Sequence, residues 1–221
     1  MPETEKQPEK GGDARFARGN RTRQALLDAA FDEIHHHGFR AASLNDILKA
    51  AGCTKGSLYH HFPDKHALGL AAVAENIDGF MSEIWLKPLG QSDDPITTLT
   101  EILARHVNGE VLTDISLGCP LQNLSQEMSG LDEDFRTYLE SVHRKWAAAI
   151  ADALTKGQAR GQVRTDIDPH AVAIMIIATH QGTVGLMKTA QDASIGDASA
   201  SAAFQYFESL RPDGQNKGQA S

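Results

Sequence analysis

The stretch "SLNDILKAAGCTKGSLYHHFPDK" at residues 43–65 leaves a chain few ways to fold. Leu44, Ile47, Leu48 and Ala51 recur at i, i+3, i+4 and i+7, one face of an α-helix. Ser43 stands at the N-cap, with Asp46 three residues on as a capping-box partner. Gly52 ends the run, since a glycine there can take the left-handed conformation that closes a last turn. Thr54 then caps a second short helix whose inward anchors are Leu58 and Phe62, and Pro63 stops it. Upstream, Leu27, Ala30, Phe31 and Ile34 form an apolar stripe that ends at Gly38. The spacing predicts helices over about 21–37 and 44–50, then a third after Thr54. The second and third make a helix-turn-helix.

The third helix is polar outside and carries Gly56, which costs roughly 1 kcal/mol relative to alanine in a helix. Both features make sense if that face enters a DNA major groove. Thr54 and the first-turn amides suit phosphate oxygens. Gly56 lets the backbone approach DNA closely. Lys55, Ser57, Tyr59 and His60 then reach bases or backbone, and Lys65 adds a charge where the fourth helix starts. Charge is distributed accordingly. Between residues 14 and 66, Arg15, Arg18, Arg21, Arg23, Arg40, Lys49, Lys55 and Lys65 outnumber Asp28, Asp32, Glu33, Asp46 and Asp64, whereas the whole chain is at −8. A basic head on an acidic body is expected when only one end meets phosphates.

At these residues the chain resembles the TetR family of bacterial transcriptional repressors. The resemblance runs from about Asn20 to Leu70, through "HHHGFRAASLNDILKAAG" and "TKGSLYHHFPDKHAL". It implies DNA contacts at Ser43, Thr54, Lys55, Gly56, Tyr59, His60, His61 and Lys65. Cys53, where an aliphatic residue is usual, and His66, where an acid is common, depart from the pattern. Further on, "GCPLQNLSQEMS", "FRTYL" and "RKWAAAI" are similar to the C-terminal domains of one branch of the family. That implies a small-molecule effector pocket among the middle helices and a homodimer formed through the last two.

The expected fold is all-α: an N-terminal three-helix helix-turn-helix DNA-binding domain plus a larger C-terminal helical ligand-binding and dimerisation domain. We expect a flexible basic and polar arm over 1–19, the DNA-binding domain over 20–66, the helical domain over 67–210 and a disordered tail over 211–221. Within the larger part the pattern predicts a long fourth helix reaching "LKPLGQSDDP", and helices over about 96–108 and 120–128. A long stripe from Phe135 to Ala153 follows, broken at "KGQARGQ". Asp168-Pro169 starts a helix over about 169–190 with apolar residues on more than one face, as suits burial on two sides. "QDASIGDASASAA" reads as loop or the weakly specified start of a helix.

Ala178, Gly182, Gly185 and Thr189 fall at i, i+4, i+7 and i+11, a stripe of small residues on which a second helix can pack closely, either from a partner copy or from the same chain. Pro120 fits the first position of a helix, which makes Cys119 its N-cap. That position can favour a thiolate, so Cys119 is either a sensor of electrophiles or a residue packed in or near an effector pocket. Cys53 reads as a small apolar residue of the turn. The runs His35–His37 and His60–His61 do not make metal sites, because consecutive helical residues point about 100° apart while paired ligands need i+3 or i+4 spacing. No metal and no cofactor is expected. With two distant cysteines, no apolar run near 18 residues and a charged start, the expectation is a cytoplasmic protein without a membrane span. The expected partners are double-stranded operator DNA, a second copy of the chain and a small molecule. The competing class is an enzyme with a histidine-rich site, for which no convergent acid, base or nucleophile set stands out.

Overall fold

The computed structural model describes residues 10–212, with side chains from Gly19 onward. They form α1 (Lys10–His37), α2 (Leu44–Ala51), α3 (Lys55–His61) and α4 (Lys65–Met81), then a π-helical turn over Ser82–Leu86 and α5 (Lys87–Gly90). Next come α6 (Pro95–Val107), α7 (Pro120–Met128), α8 (Glu133–Ala159), α9 (Pro169–Ala190) and α10 (Ser194–Ser209). No strand occurs among the described residues. Contacts divide the chain into a unit ending at Asn76 and another starting at Ile77, so the division falls within α4. It lies beyond the 66/67 boundary expected from the motif because Leu68 and Ala72 of α4 belong to the first unit's core.

That core joins Leu26, Leu27 and Ala30 of α1 to Ile47 and Leu48 of α2, with Leu58 and Phe62 behind α3. Gly52 sits at φ 62°, and the Gly52 and Cys53 amides donate to the carbonyls of Lys49 and Leu48 at 3.2 and 2.9 Å. This is the Schellman closure that the glycine permits. The capping box of α2 differs from expectation. Ser43 Oγ accepts from the Asp46 amide at 3.3 Å, but the reciprocal acceptor is Glu33 of α1, whose Oε1 takes the Ser43 amide at 2.9 Å. Helix α2 is thereby bonded to α1 as well as packed on it. Gly69 of α4 is needed for a close approach, since a Cβ there would lie 2.5 Å from the Phe39 ring.

Two expectations about irregular segments are corrected, and one left open is decided. Helix α1 starts at Lys10, so the expected flexible arm is helical over residues 10–19, while residues 1–9 lie outside the described ones. Once Leu26, Leu27 and Ala30 fix a nucleus, each further turn costs little. The segment "QDASIGDASASAA" is largely α10, held by buried Ala200 and Phe207. Arg211 is tied down rather than part of a loose tail: its guanidinium meets Asp94 Oδ2 at 2.9 Å and Glu208 Oε2 at 3.0 Å. Residues 213–221 of that tail lie outside the described ones.

In the second unit α8 is the central element, packed by α5, α6, α7 and α9. Its stripe of Phe135, Leu139, Val142, Trp146, Ile150 and Leu154 is buried. It continues through Gly157, where a Cβ would lie 2.6 Å from Pro95, and ends next to Gly161 at φ 71°. The Asp-Pro starts behave alike: Asp94 caps the Ile96 and Thr97 amides, and Asp168 caps that of His170. The π-helical turn buries the consecutive residues Ile84 and Trp85.

Candidate functional site

Helix α3 presents two unlike faces. Leu58 is fully buried and Phe62 nearly so, while Lys55, Gly56, Tyr59 and His60 are exposed, Tyr59 at 54%. The unit's own packing therefore makes little use of the Tyr59 ring, which stays available to a partner. A Cβ at Gly56 would meet only Thr54 Oγ1, at 3.8 Å, so nothing inside the chain requires glycine there. Thr54 and Ser57 form a full capping box: the Ser57 amide donates to Thr54 Oγ1 at 3.2 Å and the Thr54 amide to Ser57 Oγ at 3.1 Å. Ser57 Oγ also donates to the Thr54 carbonyl at 2.8 Å, so its hydroxyl builds the helix start rather than projecting from it.

His61 is half-buried, its ring 5.0 Å from that of His60. Burial, then the His60 and Arg23 charges, lowers its pKa and favours the neutral ring. Lys65 stands at the start of α4, where the added charge was expected, and is also engaged within its own unit. Its Nζ donates to the Arg40 carbonyl at 3.2 Å and lies 5.1 Å from the Phe39 ring centre, clamping α4 to the loop between α1 and α2. Cys53 packs against the unit's core, with Sγ 3.4 Å from the Ala51 carbonyl. His36 bonds the Asp32 carbonyl through Nδ1 at 2.8 Å, a helix-end contact.

The second unit holds a cavity of about 330 Å³ between α6, α9 and α10. That is the scale of a small-molecule site. Trp85, His106, Met175, His180, Tyr206 and Phe207 are among its walls, and Asp197 is the charged group on them. Trp85, Trp146, His106 and His180 form one aromatic cluster, with ring centres 4.7 Å apart for Trp85–Trp146 and for His106–His180. His106 Nδ1 lies 2.8 Å from the Ile102 carbonyl, whereas its Nε2 and the Nε1 atoms of Trp85 and Trp146 are buried without a hydrogen-bond partner. Burial, then His106, depresses His180 to about 3, and burial also lowers His106, so both rings are neutral. Sequence reasoning put Trp146 on the long apolar stripe but did not single out Trp85, His106 or His180. The available signal was a histidine inside each of two apolar runs, "EILARHV" and "IMIIATHQGTV".

Cys119 does stand at the N-cap of α7 before Pro120, but it is not among the cavity walls. Burial pushes its thiol up, against the opposing effect of the Gln122 and Leu121 amides, so the cap does not produce a ready thiolate. The small-residue stripe of α9 divides. A Cβ at Gly185 would come within 3.0 Å of Gln122 of α7, which makes that position internal packing, while Gly182 opens onto space. Ala178, Gly182 and Thr189 are exposed and flanked by Ile174 and Leu186, 49% and 60% exposed. Instead of burial on two sides, α9 keeps one apolar face bare. Its 22 residues are long and apolar enough to cross a membrane, yet only 28% of that apolar window is buried in the chain.

Two family models match. "Bacterial regulatory proteins, tetR family" covers residues 26–72, and "Tetracyclin repressor-like, C-terminal domain" covers residues 95–203. An HTH-type transcriptional regulator of Lactococcus lactis is 30% identical over 86% of this chain and 94% of its own length. The transcriptional repressor DhaR of a Mycobacterium species is 27% identical over 88% of this chain and 94% of its own. A TetR transcriptional regulator from Chloroflexus aurantiacus superposes with a TM-score of 0.76 and 25% identity, over 87% of this chain and 96% of that one. A reading helix set on an all-helical scaffold, these matched segments and near full-length relatives agree, and the chain belongs to the TetR family of bacterial transcriptional regulators.

Proposed function

We propose that the protein works as a homodimer that binds a palindromic operator through α3 and leaves it when a small molecule occupies the C-terminal cavity. The observation that carries this is α3 itself: a capped helix with Leu58 buried behind it and Tyr59, His60, Lys55 and an unobstructed Gly56 facing outward. Two-fold symmetry lets paired reading helices enter major grooves one turn apart. The bare α9 face around Gly182 supports a second copy as its cover, because an apolar strip of that length is normally shielded from water. An effector that binds one spacing of the two heads better than the other shifts affinity for the operator. Such work is done in the bacterial cytoplasm. The raised Cys119 thiol supports a reversible, non-covalent effector over an electrophile.

The test is selection of bound fragments from a random pool, followed by titration of the enriched sequence at rising salt. We expect a palindrome, with affinity falling steeply as counterions compete. Enrichment of no common site, or equal binding by Tyr59→Ala, would overturn the proposal. The enzyme alternative has less support: His106 bonds the Ile102 carbonyl rather than a carboxylate that could orient it as a base.

A further inference from the structure

The cavity of the second unit is long rather than round. Its walls run from Met175 to Met187 on α9 and from Gly196 to Phe207 on α10. At 1.5 Å per helical residue each wall is about 17 Å long, whereas a sphere of about 330 Å³ is about 9 Å across. The two helices run antiparallel along it, since Thr183 Oγ1 lies 2.7 Å from Ser199 Oγ and a Cβ at Gly196 would lie 3.0 Å from Met187 Sδ. Leu99 and Leu103 of α6 line the slot from a third side.

Its polar walls offer little. The Trp85 indole nitrogen and His106 Nε2 are sealed off from the slot, and His106 Nδ1 is held by the Ile102 carbonyl. Thr183 donates to the Thr179 carbonyl at 2.8 Å, which leaves the Ser199 hydroxyl to donate to Thr183 Oγ1. The remaining uncharged polar side chains are Thr179, His180 and Tyr206. Among the described residues no lysine, arginine or glutamate lines the slot, and Asp197, the charged wall residue, is exposed and keeps its water. Neither sign of charge is therefore welcome inside. An anion meets no cation, and burial holds His180 neutral, which shows what the same surroundings cost a positive group.

We propose that the cavity takes an uncharged, chain-shaped molecule, its unbranched aliphatic tail lying between α9 and α10 and its polar head held by Thr179, His180 or Tyr206. This rests on the cavity being the effector site. Ala200 is 3% exposed and sits near the middle of the α10 wall, so a larger side chain there divides the slot.

The chain has two tryptophans, and both belong to the aromatic cluster that Trp85 brings to the wall, so the intrinsic fluorescence of the full-length protein reports on binding. The probes are 1-decanol, 1-hexanol, decanoate and decylammonium. 1-Decanol should bind at least about tenfold more tightly than either charged chain of the same length. Ala200→Leu should weaken 1-decanol at least about tenfold, because several methylenes lose their place, and leave 1-hexanol within about twofold, because the shorter chain fits one half. Equal or tighter binding of a charged chain, equal loss for both alcohols, or no binding of any probe would overturn the proposal. If Ala200→Leu does not fold, Ala203→Leu, one turn along the same wall, takes its place. Operator binding is measured on the same preparation without probes. If it persists while the ranking fails, only the ligand class is wrong; if it is absent while the ranking holds, the regulator proposal fails and the ligand class stands.

Discussion

Replacing Gly56 with alanine should move stability and DNA affinity in opposite directions. The position lies in the first turn of α3, and the added methyl would meet only Thr54 Oγ1 at 3.8 Å, an ordinary contact. Within the chain, only the gain in helix propensity remains, about 0.5–1 kcal/mol. For a unit of this size that raises the melting midpoint by roughly 2–8 °C. On DNA the same methyl stands between the helix backbone and the duplex. Losing one charge-assisted amide–phosphate bond costs about 1.5–3 kcal/mol, or roughly a 10- to 150-fold weaker Kd. Thermal melting by circular dichroism and anisotropy titration of the selected operator measure the two effects separately. An unchanged Kd would remove the close-approach argument. A lowered midpoint would show that Gly56 serves the fold instead.

Tyr59→Ala should weaken operator binding at an unchanged melting midpoint, because the ring is exposed, whereas Lys65→Ala should lower the midpoint as well, through the lost Arg40 and Phe39 contacts; melting curves of the two variants check this. Gly182→Phe should give monomers in sedimentation and lose the operator with them, while Gly185→Phe should first destabilise the subunit by striking Gln122. His180 predicts acid sensitivity. Its folded pKa, about 3, lies below an unfolded value near 6.5, so unfolding takes up a proton between those limits. The stabilisation is complete above the unfolded value and declines as pH falls through it. Melting midpoints measured from pH 7 down to pH 5 should therefore fall less for His180→Gln than for the wild type.

The helix-turn-helix was legible because each of its parts has a local cause: stripes of period 3.6, Gly52 at a left-handed closure, Thr54 at a cap and Pro63 at a stop. Helix α9 was legible over 169–190 for the same reason, its Asp168 cap and Pro169 start. What sequence could not give depends on residues far apart in the chain. The Glu33 acceptor for Ser43 and the clamp of Lys65 on Arg40 join elements whose approach no local pattern encodes. The cavity is the extreme case, since Trp85, His106 and His180 meet only after three separate helical segments have packed. Periodicity also cannot say what covers an apolar face. It put apolar residues on more than one face of α9, and only packing showed that α8 and α10 cover part of it.

The wide turn at Ser82–Leu86 gives the path from α4 to α5 a one-residue phase error relative to an uninterrupted α-helix. Such an insertion rotates everything downstream by about 100°. It is this offset that lets Ile84 and Trp85, neighbours in the chain, both face inward. Deleting Glu83 would let the segment relax into a regular helix while the residues beyond it keep their facing, since the lost residue is the one the wide turn takes up. The same deletion one or two turns earlier, in regular α4, would instead turn Trp85 by about 100° away from His106 and His180. Relatives that lack this one residue should therefore run an unbroken helix here and still hold the same aromatic side chain inward.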